Sequence, residues 1–84
     1  MKTIIRKTMT YGVMPTKREY MRAWKEDGMT AFKFGNDPRV GDAELTDEEL
    51  WDELKKAVKE YRNGSEKAGT WVSDVLFVLG FEWI

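Results

Sequence analysis

Apolar and polar residues alternate along "TIIRKTMTYGVM", residues 3–14. Ile5, Lys7, Met9, Tyr11 and Val13 fall on one side, and Ile4, Arg6, Thr8 and Thr10 on the other. A period of two with β-branched residues predicts a strand with one polar face. The grammar then changes at "PTKREY". Thr16 stands where an N-cap belongs, and Glu19, three residues on, completes a capping box. Tyr20, Ala23 and Trp24 follow at helical spacing until Gly28 stops the run. In "MTAFKFG", Thr30, Phe32 and Phe34 share a face and predict a second strand. "GNDP" is turn chemistry, and "RVGDAEL" reads either as a short hairpin arm or as loop.

"LTDEELWDELKKAVKEYRNG" repeats the capping signature with Thr46 and Glu49. Leu50, Trp51, Leu54, Ala57, Val58 and Tyr61 cover about 120° of a helical wheel, the width of a core-facing stripe. Gly64 sits where a left-handed cap would end the helix. Beyond Ser65, Ala68, Val72, Val75 and Leu79 make a third helical stripe, with Leu76 beside it. A buried strand over Val75–Leu79 is the rival, because Gly69 and the β-branched run weaken a helix. The helix is the favoured reading, ended by Gly80 and followed by a terminal strand "FEWI" with Phe81 and Trp83 on one face, paired beside strand one. The expected architecture is a single α+β domain over 1–84, ordered β-α-β-α-α-β, with helices on one face of a small sheet.

Composition narrows the chemistry. The chain of 84 residues is 42% hydrophobic with four Trp, four Phe and three Tyr, enough apolar surface for a folded core. Zero Cys removes disulfides, thiolate zinc sites and thiol nucleophiles, and zero His removes the usual general base. No stretch has the make-up of a signal peptide or a membrane span, so a cytoplasmic protein without membrane contact is expected. Charge is segregated although the chain nets −1: residues 1–25 carry +6, residues 26–54 carry −8 and the rest +1. Such a dipolar chain attracts charged partners or pairs its own halves. A homodimer, with the basic half of one copy on the acidic half of another, fits the same pattern.

From Asp42 to Glu53 there are seven carboxylates and no basic residue. Asp47, Glu48 and Glu49 fall in the first turn of the predicted helix, where negative charge complements its dipole. Asp52 and Glu53 lie four and three residues from Lys56, spacings suited to surface pairs. Asp37, Asp42 and Glu44 have no such explanation. Asp42, Glu44, Glu48, Glu49 and Asp52 are therefore the candidate acidic contacts for a partner. "NDPRVGDAE" lacks the ligand spacing of an EF-hand, and no metal or other cofactor is expected.

On the first helix Arg18, Arg22 and Lys25 lie within about 60° of arc opposite Tyr20 and Trp24. With Lys2, Arg6 and Lys7 they form a track suited to phosphates, and Tyr11 is placed to stack a base. No helix-turn-helix, RNP-type aromatic signature or GXXG loop accompanies them. Ser65, Ser73, the lysines and carboxylate pairs such as Glu49 and Glu53 form no recognisable catalytic set, and "GSEKAG" lacks the ending of a P-loop. Four Trp exceed what a small core readily hides. Trp51, at the edge of its stripe, and Trp71, ahead of the third, are the candidate aromatic contacts. These features fit a non-catalytic protein-binding module, a small adaptor or inhibitor. The make-up is common among phage and mobile-element products, where such a chain would block a host or defence complex by surface occupation or acidic mimicry. Nucleic-acid binding through the basic N-terminal half is the alternative.

Overall fold

Two threonines open two helices by the same reciprocal bonding. The computed structural model describes residues 7–84. Helix α1 spans Lys17–Glu26, with the Thr16 hydroxyl accepting from the Glu19 amide at 3.1 Å while the Glu19 carboxylate accepts from the Thr16 amide at 3.3 Å. Helix α2, Asp47–Arg62, begins the same way at Thr46 and Glu49, at 3.3 and 3.0 Å. Helix α3, Glu66–Leu79, is capped by the Ser65 hydroxyl accepting from the Ala68 amide. Each cap satisfies amides that the first helical turn leaves without partners.

The α+β class and the predicted helices hold, and Val75–Leu79 is helical. Gly80, at φ 101°, turns the chain out of α3 in the left-handed conformation. The chain then runs straight into a terminal strand (Phe81–Trp83), which pairs in parallel with β1, Lys7–Met9, as Lys7 opposite Phe81 and Met9 opposite Trp83. "RVGDAEL" returns as a hairpin arm. Strand β3 (Glu44–Leu45) runs antiparallel to β2 (Phe32–Lys33), with Lys33 opposite Glu44. The terminal strand is therefore β4, and the order is β-α-β-β-α-α-β. The four strands form two separate two-stranded ladders. The N-cap of α2 at Thr46 follows β3 directly, which keeps the hairpin short.

Strand one ends earlier than the alternation predicted. It ends at Met9, and the Val13 amide closes a turn onto the Thr10 carbonyl at 3.1 Å, with Gly12 at φ 93°. Lys2, Ile4, Ile5 and Arg6 lie outside the described residues.

The core gathers the predicted stripes, with Tyr20, Leu50, Leu54, Val72 and Leu76 fully buried. Phe32 and Phe34 of the hairpin and Phe81 and Trp83 of the terminal strand belong to the same core. Removing each such side chain from water contributes about 1.5–3 kcal/mol. α2 and α3 approach closely at Gly69, where the Tyr61 ring occupies the space a Cβ would need. No helix among the described residues is long and apolar enough to cross a membrane.

Candidate functional site

The acidic segment runs from a bend at Asp42 through β3 into α2. Glu44 belongs to β3, and Glu48, Glu49 and Asp52 to the first turns of α2; with Asp42 all five carboxylates are exposed. Their internal obligations differ. Glu49 completes the capping box, Glu48 meets Lys17 of α1 at 3.1 Å, and Asp52 meets Lys55 at 3.5 Å. Glu53 contacts Lys56 at 3.6 Å, as its spacing suggests, and also Arg39 at 3.7 Å. The side chains of Asp42 and Glu44 make no hydrogen bond or ion pair among the described residues.

The two candidate indoles part company. Trp51 is half-buried, its ring 4.9 Å from that of Tyr20, so it lies at the open seam between α1 and α2. Trp71 is buried, and its indole N–H donates to both carboxylate oxygens of Asp37 at 3.1 and 3.2 Å. Phe34 stacks on it at 5.9 Å, and the Arg39 guanidinium lies 5.1 Å from the ring centroid. Arg39 also reaches Glu53 and Glu60, while its buried Nε has no hydrogen-bond partner among the described residues. Asp37 further accepts from the amides of Arg39 and Val40 at 2.8 and 3.1 Å. This cluster pins the hairpin turn to α2 and α3. Beside it opens a concavity of about 830 Å³ between the turn and α3, rimmed by Glu66, Lys67, Thr70 and Asp74. The walls contributed by Trp71, Asp37 and Arg39 are committed to one another.

The basic stripe keeps its predicted place. Arg18, Arg22 and Lys25 are exposed, and among the described residues no ion pair engages them. Lys7 is instead paired with Glu19, and Tyr11 packs on Tyr61 and Trp83 with 40% of its surface exposed. The Ser65 hydroxyl is committed to its cap, and Ser73 is half-buried.

Three features escaped the sequence reading. The Asp37–Trp71 bond spans 34 residues and the Lys17–Glu48 pair 31, separations at which local pattern carries no signal. Trp83 is pinned by its indole N–H donating to the Val13 carbonyl at 2.8 Å. The turn role of Asp37 was within reach, because an Asx side chain accepting from amides two and three residues on is local chemistry. Comparison with known proteins finds no matching family model, no matching curated protein and no matching solved structure.

Proposed function

We propose that this chain is a non-catalytic protein-binding module, an adaptor or inhibitor that occupies a basic surface of a larger partner through its acidic segment. The observation that supports this most is that the side chains of Asp42 and Glu44 are exposed and make no hydrogen bond or ion pair among the described residues, directly ahead of three further exposed carboxylates on α2. Helix capping and surface pairing account for Glu48, Glu49 and Asp52, but not for those two. The strand carrying Glu44 and the capped helix carrying Glu48, Glu49 and Asp52 hold these four carboxylates in fixed relation, which limits the ordering cost of binding. Trp51 supplies a half-buried aromatic on the same helix. Acidic mimicry of a phosphate backbone is the corresponding mode for an inhibitor.

The test compares tagged wild type with an Asp42→Asn/Glu44→Gln variant in pull-downs from the source cells. A stoichiometric protein retained by the wild type, eluted by salt and lost from the variant supports the reading. Recovery of no such protein, or equal recovery by both, overturns it.

Nucleic-acid binding is the second reading, favoured by the row of Arg18, Arg22 and Lys25, which no ion pair engages among the described residues. It requires affinity for DNA or RNA that falls steeply with salt and weakens in Arg18→Ala/Arg22→Ala. No binding at low salt ends it.

A further inference from the structure

The seam between α1 and α2 has banks of opposite charge and an aromatic between them. Lys17 and Glu48 bridge it, and Trp51 lies against Tyr20 within it. At about 100° per residue, the α1 surface runs from Lys17 past Met21 to Lys25, Arg18 and Arg22. The same spacing carries α2 from Trp51 past Glu48 to Asp52. Cations that no ion pair engages among the described residues thus occupy the outer bank of α1, and exposed carboxylates the outer bank of α2. Two complementary patches side by side on one surface are what a two-fold contact requires, since a half-turn lays each on the other's counterpart.

We propose that the chain pairs with a second copy of itself across this seam. Arg18, Arg22 and Lys25 of each copy meet Glu48 and Asp52 of the other, with the two Trp51 rings near the axis. Glu48 and Asp52 already have lysine neighbours, Lys17 and Lys55, but these pairs are open to exchange. The side chains of Glu48 and Asp52 are 60% and 62% exposed, those of Lys17 and Lys55 52% and 56%. An exposed lysine pair contributes little, whereas an arginine fork binds a carboxylate bidentately. The contact is therefore weak, reversible and salt-sensitive. It covers Glu48 and Asp52, so it competes with partner binding at the acidic segment without depending on it.

Sedimentation of the purified full chain tests this independently of any partner. At roughly 1 mM protein and low salt, the weight-average mass should rise toward twice the 9.8 kDa of one chain and return to one in about 0.5 M salt, where the screening length is only a few ångströms. Arg18→Glu/Arg22→Glu and Glu48→Lys/Asp52→Lys should each stay monomeric alone and form a mixed dimer when combined. Glu48→Gln/Asp52→Asn, which removes charge without placing lysine at a helix start, should also stay monomeric while still unfolding in one cooperative transition, a few degrees lower at most. A wild type that is monomeric throughout, a mass that climbs past the dimer, reversed variants that do not combine, or a neutral variant that still dimerises overturns the proposal.

Discussion

Tyr20 fixes α1 to α2 through both of its ends. Its ring is fully buried between Trp24 and Trp51, and its hydroxyl donates to the Asp47 carbonyl at 2.7 Å. Burial, followed by the Asp47 and Glu48 carboxylates, pushes this phenol well above its ordinary value of 10.0. The folded chain then keeps the proton at a pH where the unfolded chain releases it. Tyr20 therefore contributes stability that is complete below about pH 10 and declines as the pH rises further. Tyr20→Phe is expected to cost about 1 kcal/mol at neutral pH through loss of the hydrogen bond, and to lose less stability above pH 10 than the wild type. Urea melts of both proteins at pH 7 and pH 11 measure the two effects. An equal alkaline loss in both would remove Tyr20 as the source. At Gly69 the decisive quantity is space: an added Cβ would press into the Tyr61 ring, with ring carbons at 2.9 and 3.1 Å beyond the nearest one. Overpacking of this kind costs about 1–3 kcal/mol, so Gly69→Ala should melt several degrees lower although alanine is the better helix former.

The hairpin is the element most dependent on a single side chain. Its two strands are two residues each, and Asp37 both shapes the turn and holds the Trp71 indole. Asp37→Ala leaves a buried indole N–H and two turn amides without their acceptor, a loss of about 2 kcal/mol. Asp37→Asn keeps one acceptor oxygen and should recover part of it. Thermal melts with Trp fluorescence follow both changes; an alanine variant as stable as the wild type would show that the turn stands without this cluster. The capped helices were legible in the sequence because Thr16, Glu19, Thr46 and Glu49 act within one turn of chain. The return of Glu44–Leu45 was not decided there, because two residues carry no periodicity and their pairing is set by Phe32 and Lys33 across the turn. The candidate site divides along the same line. The exposure of the basic row and of Glu48, Glu49 and Asp52 follows from helical spacing, whereas the commitment of Trp71 to Asp37 depends on contacts no local pattern encodes.

At the scale of the molecule the first described segment closes on the last. Lys7 and Tyr11 donate to the carbonyls of Gly80 and Ile84, and Ile84 donates to Met9, at 2.9–3.0 Å. Phe81 and Trp83 add two large buried side chains to the core beneath this ladder, and Trp83 ties its indole to Val13. The apolar chain end is thus a structural element: alternate residues face inward, Glu82 faces out, and Ile84 is left 73% exposed. A parallel ladder between residues 7–9 and 81–83 requires that the segment between them be in place before it forms, so it depends on the intervening helices and in turn holds them together. A chain of this size has little stability to spare, about 0.05–0.15 kcal/mol per residue. Deleting Phe81–Ile84 removes two aromatic side chains worth about 1.5–3 kcal/mol each in burial alone, together with the ladder. The truncated chain is therefore expected to lose its cooperative thermal transition or to melt far below the full chain, whatever its effect on binding. Circular dichroism on heating decides between the two roles of the tail. A truncated protein that melts like the full chain while losing a partner would make these four residues a docking peptide, because a strand that closes the core cannot be removed without loosening it.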